Sequence, residues 1–360
     1  MSDERLAVAV LGASGYVGQH FARMLADHPS FELVALGSGE RSSGRRLEDV
    51  WQLAEPPPAE LAARRLRPLG VPDLLRQSVR VVFSALPSGS AGRWETELAR
   101  RGFAVFTNAA DHRMDPAVPL LVPEVNADHL RLAARRRSGP GLLVANPNCS
   151  ATGLVVGLAP LMPLLAPRAV HVTTYQSLSG AGYPGVPSLA ITDNVVPFVE
   201  EEEEKVAREA SRILGHRRGS RVAPLTVPFV VHCARVGTRE GHLEAVTVEA
   251  SRRPSLSAIR RALRSFDPLR GRPLPSAPHP PIELRREADR PQPVRDRWAG
   301  TPARARGMAV VVGRIRWDPP FLRFFLLSHN AVRGGAGASV LNAELTLDEG
   351  LLTSRPRGLR

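Results

Sequence analysis

The first third of the chain alternates short apolar runs with helix-period segments, the pattern of a parallel sheet wound with helices. Leu6–Leu11, LAVAVL, is a buried-strand run that stops at Gly12, and the amphipathic stretch behind it, through Met24 and Leu25, predicts a helix. A second strand is expected at Phe31–Leu36, with others in VRVVFSALP and FAVFTNAA, whose carboxyl ends lie at Ser84–Pro87 and Asn108. The doubly wound pattern holds to about Cys149. Beyond it the runs lengthen, in AVHVTTYQSLSG, PFVVHCARV, HLEAVTVEA, GMAVVVGRIRW and LRFFLLSHN. They predict an α+β second domain with few helices and a largely antiparallel sheet. The Pro- and Arg-rich segment 269–306 reads as an ordered surface excursion or a long loop, and a last helix is expected from Gly334 to about Leu345. The expected division is a first domain of 1–148, completed by 331–360, and a second of 149–330.

With 360 residues and 43% hydrophobic content, the chain can fill two ordinary cores, in keeping with that division. Two cysteines cannot build a disulfide framework, which suits a reducing compartment. The opening MSDERLAVAVLGASG is acidic and meets glycine after a short apolar run, unlike a signal peptide. No run of about 18 apolar residues occurs, so no membrane span is expected. A soluble, cytoplasmic protein is the expectation. The net charge of +13 invites a nucleic-acid reading, but the arginines are scattered without aromatic interleaving, and that function is not expected. Lys205 is the only lysine. Where every other cation is a guanidinium, a retained ammonium suggests a site too narrow for the fork, unless its retention is chance.

Three clusters carry chemistry. Gly12-Ala13-Ser14-Gly15-Tyr16-Val17-Gly18, between a strand and a helix, is a nucleotide-binding turn: its glycines let phosphate oxygens approach backbone N–H groups at the helix start. This predicts a Rossmann dinucleotide-binding domain. In GSGERSSGRR, after the second strand, Ser38, Arg41 and Ser42 offer donors to a 2′-phosphate, so NADP is favoured over NAD, with Glu40 a dissenting acid. Ser84, Ala85 and Leu86, at a strand's carboxyl end, are expected beside the cofactor, and Asp111–Asp115 on the substrate side. The second cluster is NPNCSATGLVVGL, which sets Cys149 at a helix start. There the unpaired N–H groups and the dipole favour thiolate over thiol. Cys233, in a strand-like run, reads as a core residue. In the third cluster, Arg235 stands seven positions before His242, which follows Gly241 at a strand start and becomes the leading general acid/base. No metal site is expected.

Taken together these stretches resemble the aspartate-semialdehyde dehydrogenases of the archaeal and fungal branch. The resemblance runs nearly end to end, through LGASGYVGQ, FSALPS, ADHRMD, NPNCSATGL, YQSLSGAGYPGVPS, EEEEK, EGHLEAV and HNAVRGGAGASVLNAE. It implies NADPH-dependent reductive dephosphorylation of L-aspartyl 4-phosphate. Cys149 would attack the acyl carbon and expel inorganic phosphate, leaving a thioester, and His242 would manage protons as the aldehyde departs. By the same resemblance Gln176 positions substrate near the thiol, and Arg235 holds the α-carboxylate. Arg113, Asn148 and Lys205 hold the phosphate. One glutamate of 200–204 meets the substrate ammonium, Glu202 being chosen and Glu203 close behind. The remaining acids read as a solvated helix face, with Glu201 pairing with Lys205 at i,i+4. Gly12, Ser14, Gly15, Tyr16 and Val17 match the pyrophosphate turn. Ser179 and Gly180 match a loop near the nicotinamide, and Asn330 the residue facing its carboxamide. A homodimer or homotetramer is implied.

There are departures. The resembled pattern has an acid, Gly, His and Thr after the catalytic strand, whereas this chain has Glu240, Gly241, His242 and Leu243, and Gly37 and Gly39 loosen the 2′-phosphate loop. Rival readings are a CoA-thioester reductase of the malonyl-CoA type, an N-acetyl-glutamyl-phosphate reductase, which usually has glycine where this chain has Asn148, and a nucleotide sensor without catalysis. The sensor would be expected to lack Cys149, Gln176 or His242.

Overall fold

A computed structural model describes residues 5–133 and 140–352. The start of the N-terminal stretch, residues 134–137 of the RLAARRR run, and residues 353–360 of the segment expected to complete the first domain lie outside the described residues. The chain forms two compact units. The first takes Met1–Leu121, Asp128–Asn146 and Gly335–Arg360, the second Val122–Ala127 and Pro147–Gly334.

The first unit is a parallel sheet of five strands: β1 (Leu6–Leu11), β2 (Phe31–Leu36), β3 (Val81–Ser84), β4 (Ala104–Thr107) and β5 (Leu142–Ala145). Their order is β2-β1-β3-β4-β5, every pair parallel. Central strands of such a sheet are covered on both faces, which is why they read as unbroken apolar runs. Ala9, Leu11, Val82 and Val105 pack on one side with Leu98 and Phe103. Elsewhere in this core Phe83 meets Phe21, Phe31 and Phe106 with ring centroids 5.1, 6.0 and 5.8 Å apart. Helix α1 (Tyr16–Leu25) follows β1, and α2 (Ala91–Arg100) follows β3. The last helix runs Gly337–Asp348, a few residues later than expected, and packs on α1 and β4. There His28 Nε2 lies 2.8 Å from Glu344 Oε1, both side chains fully buried.

The second unit holds a hairpin, β7 (His216–Arg218) with β8 (Arg221–Ala223), and a six-stranded sheet. The larger sheet consists of β6 (Pro167–Gln176), β9 (Phe229–Arg235), β10 (His242–Ala250), β11 (Ile282–Leu284), β12 (Val310–Asp318) and β13 (Phe321–Ser328), in the order β11-β12-β13-β10-β6-β9. The three central pairings are antiparallel, whereas β11–β12 and β6–β9 are parallel. The sheet is therefore mixed, which corrects the largely antiparallel sheet expected from sequence. A parallel neighbour needs a crossover, and β9 has one: α4 (Glu202–Ile213), which follows α3 (Cys149–Leu158) in the chain, lies between β6 and β9. Side chains of β10 alternate strictly between buried and half-buried, so one face of the sheet is covered and the other open. Ser150 to Leu158 of α3 are buried all round, as befits a helix that packs on β10, β12, β13 and α4.

Candidate active site

Asn148 sets the thiol. Its Oδ1 accepts from the Ser150 and Ala151 backbone N–H groups at 2.8 and 3.2 Å, so the cap closes on Asn148 and Cys149 becomes the first residue of α3. Cys149 is part-exposed, and the first-turn N–H groups favour the thiolate there. Cys233 is buried, and that burial pushes its thiol up to about 12, in keeping with a core residue.

Strand alternation brings up the partners. One row on the covered face crosses four strands: Ser328, His242, Gln176 and Arg235. The register pairs His242 with Ser328 and Gln176 with Arg235, and the Leu243–Tyr175 pair sets His242 beside Gln176. The strand reaches this row through Gly241, whose φ of +93° is a left-handed turn that favours glycine.

The imidazole faces the sulfur, with Nε2 3.2 Å from Cys149 Sγ. Its Nδ1 lies 3.1 Å from the Ser177 backbone nitrogen, and 3.1 Å from Ser177 Oγ. A backbone N–H can only donate, so Nδ1 accepts and the neutral ring carries its proton on Nε2, toward the sulfur. Burial, and next the charge of Arg235, lower the His242 pKa to about 3, which keeps the ring neutral. A neutral N–H aimed at sulfur steadies a thiolate without forming an imidazolium.

Gln176 Nε2 donates to Ser150 Oγ at 3.1 Å and to Glu202 Oε1 at 2.8 Å, and Glu202 Oε2 accepts from Asn148 Nδ2 at 2.8 Å. Glu202 is thus a buried carboxylate joined to two neutral amides. Its neighbour Glu203 turns away and accepts from the Cys233 backbone N–H at 2.8 Å. Lys205 Nζ lies 3.0 Å from Glu201 Oε2, the i,i+4 pair of the solvated-face reading. Buried Arg235 donates from Nη1 to the Ser177 carbonyl at 2.8 Å. Gly180 lies against this pair: a Cβ there would stand 2.7 Å from Arg235 Nη1 and 3.0 Å from His242 Cε1. Asn330 ties the surrounding loops. Its Oδ1 accepts from Ser177 Oγ at 3.1 Å and from the Gly241 N–H at 2.9 Å, and its Nδ2 donates to Ser179 Oγ at 2.9 Å.

Four residues of this site escaped the sequence reading. Ser177 fixes the imidazole, Ser150 receives Gln176, and Gly334 packs directly on Cys149. Glu209 Oε2 accepts from the Asn148 backbone N–H at 2.5 Å. Its spacing of seven from Glu202, two turns of one helix face, was the available signal.

The first unit carries the nucleotide turn. Gly12 has φ +75°, and a Cβ on it would meet Ala85 O at 2.6 Å; one on Gly18 would meet Gly12 O at 2.1 Å. Exposed Gly15 precedes α1 with no side-chain cap, leaving the helix start open. These cradles fit a dinucleotide pyrophosphate, with Ser14, Gly15, Tyr16 and Val17 at the helix start. Ser38 Oγ is buried with no hydrogen-bond partner among the described residues, while Arg41 is exposed and Ser42 half-buried. Ser84 is fully buried, whereas Ala85 and Leu86 are half-buried. Arg113 donates from Nη2 to the Asn108 carbonyl at 2.8 Å.

The family model described as semialdehyde dehydrogenase, NAD binding domain matches residues 7–133, and that described as semialdehyde dehydrogenase, dimerisation domain matches residues 158–333. The chain belongs to the semialdehyde dehydrogenase family. An aspartate-semialdehyde dehydrogenase of Archaeoglobus fulgidus is 44% identical over 97% of this chain and 100% of its own length. A malonyl CoA reductase (NADP) of Metallosphaera sedula is 38% identical over 97% of this chain and 99% of its own length. Among solved structures, aspartate semialdehyde dehydrogenase with NADP from Candida albicans superposes with a TM-score of 0.84 at 33% identity, covering 97% of this chain and 100% of that one. No helix among the described residues is long and apolar enough to cross a membrane.

Proposed function

We propose that this semialdehyde dehydrogenase reduces L-aspartyl 4-phosphate to L-aspartate 4-semialdehyde with NADPH, through a thioester on Cys149. The observation that carries the chemistry is the 3.2 Å approach of Sγ to Nε2, with Nδ1 held by the Ser177 N–H. The thiolate attacks the acyl carbon, the bond from that carbon to the phosphate oxygen breaks, and inorganic phosphate leaves. NADPH, held by the turn from Gly12 to Val17 with Ser38, Arg41 and Ser42 toward the 2′-phosphate, supplies a hydride when bound. When the C–S bond then breaks, the sulfur returns to the thiolate that the His242 Nε2–H steadies.

Substrate choice rests on Glu202. A buried carboxylate whose partners are two neutral amides calls for a cation, and the aspartyl ammonium is one. A malonyl thioester has no ammonium, and an N-acetylated substrate has lost its charge. Arg235 holds the α-carboxylate by its guanidinium fork, and Gln176 aligns the acyl group. Arg113, Asn148 and Lys205 are the proposed phosphate contacts. Lys205 would exchange its Glu201 partner for phosphate at little cost, since an exposed i,i+4 pair is weak and screened by solvent. Ser179, Gly180 and Asn330 are proposed for the nicotinamide side, and Ser84, Ala85 and Leu86 for the cofactor side of the first sheet.

The open face of the second sheet, with Tyr175, Val230 and Phe321 exposed, supports assembly as a homodimer or homotetramer. A cytoplasmic location is proposed from the two free cysteines.

The reaction run backward tests the assignment. Aspartate semialdehyde and NADP should yield NADPH in repeated turnovers only when inorganic phosphate is present. Turnover that requires CoA instead, or that accepts NAD alone, would overturn the choice of substrate or cofactor.

A further inference from the structure

A cavity of about 780 Å³ lies at the β11 edge of the second sheet, wholly within the second unit. It opens between helix α5 (Leu256–Ser265), the β11–β12 pair and the loop that leaves β11, and none of its lining residues belongs to the Cys149 site. Small-ligand pockets run from about 300 to 1,000 Å³, so the space suits a small molecule. The less exposed lining is apolar, with Ile282, Leu284 and Ile315, whereas the exposed lining is cationic. Six arginines line the cavity against two glutamates.

The walls are built for this. Three consecutive residues of β12, Arg314, Ile315 and Arg316, line the cavity, which the alternation of a regular strand does not allow. A bulge allows it: between Gly313, opposite Phe325, and Arg316, opposite Arg323, β12 carries one extra residue. Arg314 there has φ +52°, a left-handed conformation that residues with a Cβ rarely adopt, and its Nη1 donates to the Ala288 carbonyl. The loop it touches is braced from behind. Buried Asp296 accepts from Arg285 Nε at 2.8 Å, from Arg290 Nε at 2.6 Å and from the Gln292 N–H at 2.7 Å. A Cβ on Gly313 would collide with the Arg290 carbonyl oxygen, so loop and strand run in close contact.

The charges lining this cavity do not cancel. Glu283 is committed to Arg285 Nη2 at 2.9 Å, and Glu287 Oε2 accepts from the Arg286 backbone N–H at 2.9 Å. That leaves Arg260 and Arg264 from α5, Arg286 from the loop and Arg316 from β12. All four are exposed, and their guanidinium groups have no hydrogen-bond or ion-pair partner among the described residues. Other surface arginines have acids beside them, as Arg76 has Asp73 and Arg101 has Glu97. Four unpaired cations round one cleft repel one another, and a cleft lined by one sign of charge concentrates counter-ions. A guanidinium holds phosphate through two parallel N–H···O bonds. Four of them on three separate elements match several phosphate groups rather than one.

We propose that this cavity is a second anion site, separate from the active site, for a small molecule that carries a chain of phosphate groups, either a nucleoside triphosphate or inorganic triphosphate.

Calorimetric titration of the full chain tests it, with one equivalent of NADP added to occupy the dinucleotide turn. ATP and inorganic triphosphate are titrated separately, and at least one should bind saturably at sub-millimolar concentration. Binding of either supports the proposal, and the tighter of the two identifies the source of the phosphates. Arg286→Gln and Arg316→Gln should each weaken that binding about tenfold, the scale of lost hydrogen bonds to a charged group, while kcat and KM for aspartate semialdehyde stay unchanged. Arg100→Gln, which removes the same charge from the exposed end of α2 in the first unit, should leave binding as it was. No saturable binding of either compound, or an equal loss in all three variants, would overturn the proposal.

Discussion

Substitution of Gly334 by alanine places one methyl group against the nucleophile. A Cβ there would stand 2.5 Å from Cys149 Cβ, 2.7 Å from its Cα and 3.1 Å from its carbonyl oxygen. Carbon atoms in contact prefer about 3.5–4.0 Å, so one side must retreat by roughly 1 Å. Neither side is free to do so. Cys149 is fixed by the Asn148 cap, and Gly334 follows Arg333, whose buried guanidinium grips Glu124 through two hydrogen bonds of 2.6 and 2.8 Å. Gly334 N–H itself donates to the His329 carbonyl at 3.0 Å. Overpacking of this kind costs about 1–3 kcal/mol. A shift of about 1 Å in the reacting sulfur is on the scale that slows an enzyme about a hundredfold. Gly334→Ala should therefore lower kcat for phosphate-dependent NADPH formation by about two decades and reduce stability in urea by about 1–3 kcal/mol. Wild-type kcat in this variant, with the fold intact, would refute the tight packing of the 330–334 segment on the thiol.

Gly180→Ala makes a contrast, because its Cβ meets the ends of the Arg235 and His242 side chains rather than backbone. It should cost little stability yet raise KM and lower kcat; unaltered kinetics would separate Gly180 from the site. Iodoacetamide at pH 8 should label native protein on Cys149 only, since burial holds the Cys233 thiol at about 12; peptide mapping that found Cys233 modified first would contradict the assignment. Unfolding in urea from pH 6 down to 4 should show stability falling as acid is added, because two buried histidines outweigh the buried Glu244 carboxyl, whose pKa burial raises and which works the other way. His242 and His20, both buried and lowered to about 3, stay neutral in the folded chain while the unfolded chain takes up protons from about 6.5 downward. Each contributes a slope of roughly 1 kcal/mol per pH unit across that window. His242→Asn should remove its share of the slope and slow turnover by about two decades; an unchanged acid slope would mean that the ring is not held neutral.

Much of this architecture was legible in the residues, and the failures share a cause. LAVAVL followed by three spaced glycines could be read because strand, turn and helix start are all local features. β7, β8 and β11 escaped, being only three residues long, too short for periodicity to speak, and β5, no shorter than β3 and β4, was passed over beside the NPNC motif. The parallel β6–β9 pairing escaped because a strand's direction depends on its connection, here through α4, rather than on its own residues. Cys149 and His242 were singled out by setting, yet the Ser177 backbone N–H that fixes the ring's tautomer has no signature in a side-chain alphabet. Glu202 and Glu203 are adjacent on a helix and indistinguishable by composition. Only rotation of about 100° per residue sends one to Gln176 and Asn148 and the other to β9.

The proposed reaction requires the Cys149 sulfur to form a bond to the acyl carbon. Rapid mixing of the enzyme with aspartate semialdehyde and NADP, with phosphate withheld, should give a burst of about one NADPH per active chain. Acid-quenched peptide mapping should find the acyl group on Cys149. No burst, or an acyl group on Cys233 or on any other residue, would contradict the mechanism.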